Sequence, residues 1–123
     1  MPGSPGNPSN SQSIPSLKPF GTAIVPLAAT ETTVLPAADQ TQVVEVSFKN
    51  IDTASRTVTL YMKLVTAGTA AAAADSNTLE KAFPIVAGGL LTRQITVPKS
   101  YILTALASVA NVVNAQVSGG IER

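Results

Sequence analysis

The stretch VVEVSFKNIDTASRTVTLYMKLV, residues 43–65, decides the fold. In its first part Val44, Val46 and Phe48 share one face. In its second part Val58, Leu60, Met62 and Leu64 share a face, and Thr57, Thr59, Tyr61 and Lys63 fall on the other. Strict alternation is the period of a half-buried strand, and Val, Thr, Tyr and Phe are the types a pleated surface favours. The intervening KNIDTASR supplies Asn, Asp and Ser, which suit a turn. The segment therefore reads as two antiparallel strands joined as a hairpin.

Further strands lie on either side. Downstream, RQITV at 93–97 alternates and stops at Pro98; YILTALAS at 101–108 follows; and VVNAQVSGGI at 112–121 places Val113, Ala115 and Val117 on one face. Upstream, TAIVPLA and TTVLP are shorter. Pro26, Pro36 and the Pro84 of AFPIVA (82–87) push their strands to edges or strand ends, because proline cannot donate to a ladder. The run VTAGTAAAAADSNTLEKAF reads as a long loop with at most a turn or two of helix, since so short a helix is marginal alone. Gly88–Gly89 reads as a turn and Gly119–Gly120 as a strand-end bulge. Seven or eight short strands at this spacing predict an all-β protein, an antiparallel β-sandwich of jelly-roll or immunoglobulin-like type.

The first residues are of another kind. Residues 1–16 hold four prolines, two glycines, five serines and two asparagines. Such a segment cannot bury enough surface to offset the entropy of ordering it. The expected division is an extended arm over 1–21 and a β-sandwich domain over 22–123. Ile14, Leu17, Lys18 and Phe20 are the candidate partner-binding residues, with Pro15 and Pro19 restricting the backbone between the apolar anchors and lowering the entropy lost on docking.

Composition argues against catalysis. The chain has 123 residues, enough for one domain, and no His or Cys. That removes the commonest general base, the commonest transition-metal ligand and any disulfide. The acids Glu31, Asp39, Glu45, Asp52, Asp75, Glu80 and Glu122 are not grouped in sequence, and no GxSxG elbow, phosphate-binding glycine loop or calcium loop is present. The net charge is +1 with 12% charged residues, and Lys and Arg are scattered singly, so neither nucleic acid nor a cofactor is an expected partner. No apolar run approaches the ~20 residues of a membrane-crossing helix. No basic stretch followed by an apolar one opens the chain, so the expectation is a protein made and used without export by a signal peptide. With 45% hydrophobic but only 4% aromatic residues, the composition fits an Ala- and Val-rich core and equally a surface covered by partner subunits.

The series from Glu31 to Leu64 resembles small structural proteins of tailed bacteriophages. The resemblance rests on Thr32, Thr33, Val34, Leu35, Pro36 and Ala37, then Asn50, then Thr57, Val58, Thr59 and Leu60. It continues through GTAAAAADS at 68–76, VPKSYI at 97–102 and the closing VVNAQVSGGIER. The chain departs from that pattern at PKSY, where an acidic turn is usual, and at the doubled Gly119–Gly120. The resemblance covers about residues 22–122 and implies a virion component with a β-sandwich domain, made in the host cytoplasm. The expected role is a capsid decoration (cement) protein on the outer surface of the head. Its arm would link subunits of the major capsid protein, and the protein itself would be a homo-oligomer, a trimer by preference. A tail, baseplate or head-fibre adaptor is the alternative within the virion. A carbohydrate-binding module is the alternative of another class, poorly supplied with aromatics by two Tyr, three Phe and no Trp.

Overall fold

The computed structural model describes residues 17–122. Its strands are β1 (Leu17–Gly21), β2 (Val25–Pro26), β3 (Thr32–Leu35), β4 (Gln42–Asn50), β5 (Arg56–Thr66), β6 (Thr69–Ala70), β7 (Thr78–Ile85), β8 (Leu90–Val97), β9 (Tyr101–Ala107) and β10 (Val113–Glu122). All pairings are antiparallel. One sheet runs β1-β10-β4-β8, with β2 extending the β1 edge along β10. The other runs β3-β9-β5, with β6 and β7 both on the far side of β5. Apart from the two-residue β2 and β6, eight strands remain, four in each sheet. Their order is that of a jelly roll, so of the two sandwich types expected from the sequence the strand order selects this one.

The inner faces meet as the alternation requires. In β4, Gln42, Val44, Val46, Phe48 and Asn50 are buried, while Val43, Glu45 and Lys49 are exposed. Small residues sit opposite large ones across each ladder: Phe48 faces Ala115, Leu60 faces Ala105 and Val58 faces Ala107. All six are almost wholly buried. This exchange of bulk lets two sheets about 10 Å apart fill the space between them at crystal-like density.

The hairpin expected over residues 43–65 is not formed. β4 and β5 belong to opposite sheets, and Ile51–Ser55 carries the chain across the end of the sandwich. Alternation reports that each strand buries one face; it does not report its neighbour. Each of these long strands is central in its own sheet, flanked on both sides, and so the two face one another through the core.

Other differences are local. Gly119 and Gly120 continue the β10–β4 register without a bulge, facing Val44 and Val43. A Cβ at Gly119 would lie 2.1 Å from the Val43 carbonyl oxygen, so the backbone of β4 occupies the space a side chain needs. The alanine run is loop over 71–74, as expected. Ala67 (φ 52°) and Gly68 (φ 80°) make a tight turn into β6. The Asn77 side chain then accepts from the Ala74 N–H and donates to the Ala72 carbonyl, both at 2.9 Å, leaving one 3-10 turn at Asp75–Asn77. β7 begins at Thr78, earlier than the strand expected at 82–87, and ends at Ile85. The prolines behave as expected: β2, β3 and β7 each pair on one side only.

Candidate interaction surfaces

The antiparallel order gives the sandwich two poles. At one, β1 begins and β10 ends, with Leu17 opposite Glu122. At the other lie the connections 27–31, 51–55, 86–89 and 108–112.

Asn50 organises the second pole. Its side chain is fully buried at the end of β4. Nδ2 donates to the carbonyls of Ile85 and Ala54, each at 2.9 Å, and of Val86 at 3.2 Å. Oδ1 accepts from the Asp52 N–H at 2.9 Å. One amide thus closes the 51–55 crossing and ties it to the end of β7. Beside it the Asp52 carboxylate accepts from the Thr53 N–H and from Arg56, whose guanidinium lies 2.6 Å away. The Arg56 hydrogen bond, with that of Thr53 behind it, holds Asp52 below the ordinary carboxylate range. The turn chemistry expected of Asp52 is what it performs. Around this polar hub Ile51, Val86 and Val109 are exposed among polar neighbours such as Thr53, Ser55 and Asn111, as are Ile24 and Leu90 on the adjoining outer face.

Three further ion pairs form among the described residues. Lys63, on the outer face of β5, is only 5% exposed. It pairs with Glu31 from the β2–β3 connection, which also accepts from Thr104 Oγ1 at 2.5 Å. Burial raises the Glu31 pKa, but the hydrogen bonds from Lys63 and Thr104 and the Lys63 charge outweigh it and leave the carboxyl below its ordinary value. Arg93 of β8 reaches Glu80 of β7 at 2.7 Å, clasping the two sheets along one open side. Asp75 and Lys81 meet at 3.2 Å in solvent.

Four acids are therefore bound to four separate cations. Among the described residues no three acidic groups converge to hold a metal ion. The Ser and Thr hydroxyls have no imidazole in the chain to activate them. A cleft of about 360 Å³ lies at the pole where β1 begins, lined by Met62, Leu64, Leu79 and Tyr101 among others. It is open, mixes these apolar groups with Ser76, Asn77 and Thr78, and carries no charged group. This chemistry suits contact with another surface.

Of the candidate partner-binding residues, Ile14 lies outside the described residues. Leu17, Lys18 and Phe20 lie on β1, their backbone in register with Glu122, Ile121 and Gly119 of β10. The sheet therefore begins within the segment read from the sequence as arm. The exposed apolar residues of this pole were missed by sequence reasoning, because they come from three separate connections. A faint indication was available in Ile51, an isoleucine inside an otherwise polar turn. No protein-family model matches the chain, and no curated protein matches it either.

Proposed function

We propose that this chain is a non-enzymatic structural protein of a tailed-bacteriophage virion, and specifically a capsid decoration protein. The observation that supports this reading is the two-ended character of the domain. β1, which continues residues 1–16 into the fold, enters at one pole, while exposed Ile51, Val86 and Val109 occupy the other. Three of the four ion pairs hold parts of the sandwich together. A jelly roll is a rigid carrier used in viral capsid and lectin domains, and attachment through an arm plus a domain surface makes weak contacts persistent, because the second contact is intramolecular. In this reading Ile14, Leu17, Lys18 and Phe20 engage the major capsid protein, and the β1–β10 ladder carries the load into the sheet.

The test is co-sedimentation with purified phage heads. The full chain is compared with a variant lacking residues 1–16 and with a Leu17→Ser, Phe20→Ser double variant. Loss of binding with little change in melting supports the reading. Undiminished binding by all three contradicts it.

A further inference from the structure

The four sheet edges are not alike. The β1/β2 edge contains Pro19 and Pro26 and is interrupted between them. β3 is four residues long and its register shifts at Val34. β7 carries Pro84, two register shifts and Ala82 at φ 47°. Each is blunted by devices that keep edges from templating new strands. β8 has none of these interruptions, and its one inward-pointing charge, Arg93, is taken up by Glu80 of β7. Its eight residues, LLTRQITV, hold no proline, and its register with β4 is unbroken from Leu90 to Val97.

The hydrogen-bonding parity of β8 follows from one contact. The Asn50 N–H donates to the Gly89 carbonyl at 3.0 Å, and this pair continues the register in which Lys49 faces Leu90. In an antiparallel ladder such pairs recur at every second residue. Leu91, Arg93, Ile95 and Val97 therefore bond to β4. The N–H and C=O groups of Leu90, Thr92, Gln94 and Thr96 point the other way, where β8 has no neighbouring strand among the described residues.

We propose that β8 joins two copies of this chain, antiparallel across a two-fold axis through Gln94. The axis stands perpendicular to the sheet, so both inner faces stay on one side. Gln94 then exchanges both backbone hydrogen bonds with Gln94 of the second copy, and Thr92 does so with Thr96. The side chains agree with that register. Thr92 faces Thr96 on the outer face; Arg93 faces Ile95 and Leu91 faces Val97 on the inner one. Centring the axis on Arg93 instead would set two guanidinium groups directly opposite, which is destabilising. The occupant is a second copy because β8 meets its own reversed pattern with no like charges in opposition. The contact is isologous and closes at two copies, so the edge is consumed and does not propagate. It yields dimers, where the resemblance to phage decoration proteins favoured trimers, and it holds independently of any place in a virion.

The experiment is analytical ultracentrifugation of the full chain over a wide concentration range. Gln94→Lys and Gln94→Glu are measured separately and mixed. Residue 94 is exposed, so both variants keep the fold, as circular dichroism verifies. The expected result is a wild-type dimer. Each charged variant associates about tenfold more weakly, because like charges face each other across the axis, and the equimolar mixture recovers a heterodimer. Gln94→Pro adds a second readout. It removes an N–H that bonds nothing among the described residues, at an edge position where proline is tolerated, and it yields a folded monomer. A wild-type monomer at millimolar concentration, a trimer, an edge that pairs only with another protein's strand, or a dimer indifferent to charge at residue 94 would each overturn the proposal.

Discussion

Replacing Asn50 tests whether one buried amide holds the crossing between the sheets. Asn50→Ala removes the acceptor for the Asp52 N–H and the donor to the Ile85, Ala54 and Val86 carbonyls. Ile85 keeps a second donor, Ser55 Oγ at 3.2 Å, and water reaches the groups nearer the surface. The net loss is therefore about two hydrogen bonds at roughly 1 kcal/mol each. The void left by a fully buried amide adds to it, for a total of about 2–4 kcal/mol. In a domain of this size that lowers the melting temperature by about 10–20 °C.

Asn50→Asp sharpens the test, because it keeps the shape and reverses the donor. At neutral pH a buried carboxylate would face three carbonyl oxygens, so the variant is less stable than Asn50→Ala. Burial and those carbonyls raise the folded-state pKa of the introduced carboxyl above its unfolded value. The protonated form, which can donate, is then favoured by folding. Its contribution is complete below the unfolded pKa and is lost as pH rises through the folded one. Relative to wild type, the aspartate variant recovers in acid. Urea melts from pH 3 to 8 supply the assay. An Asn50→Ala variant within about 0.5 kcal/mol of wild type, or an Asn50→Asp variant with no recovery in acid, would refute the reasoning.

Leu60→Ala is expected to cost roughly 2–5 kcal/mol in denaturant melts, as for other wholly buried leucines. Thr59→Ala, which removes an acceptor for the Ala82 N–H on the opposite face, should cost about 1 kcal/mol; equal costs would mean the faces are assigned wrongly. Gly119→Ala should destabilise by about 3 kcal/mol, the upper end for overpacking, because its Cβ meets backbone and not a movable side chain. The Glu31 pKa is depressed in the folded state, so its contribution is present above the unfolded value and lost as pH falls through the folded one. The melting temperature should drop below about pH 4, and Glu31→Gln should make that drop shallower; an unchanged acid limb would count against the Lys63–Glu31–Thr104 contact.

Period-2 alternation made β4, β5 and β10 legible, down to which residues of β4 and β10 are buried. It could not reveal strand neighbours, so a crossing between sheets passed for a hairpin. It also misjudged the end of β5. Leu64 is exposed there, because the sandwich ends beside it. Lys63 is buried on the nominally polar face, because Glu31, 32 residues earlier, supplies a partner that no local pattern predicts. The start of β7 was hidden because Thr-Leu-Glu-Lys has no dominant strand character, and its inward Glu80 is made tolerable by Arg93 of another sheet. The double glycine was read by its flexibility, whereas Gly119 answers to the close approach of β4. The grouping of exposed apolar residues at one pole and the unblunted β8 edge exist only once the chain has folded.

Cryo-electron microscopy of purified virions tests whether the protein has a structural place on the head of a tailed phage. The expected image shows many copies of a jelly-roll density repeated over the head surface, with chain continuing from Leu17 toward a neighbouring capsid subunit. A virion without the protein, or density confined to the tail or a single vertex, would contradict it.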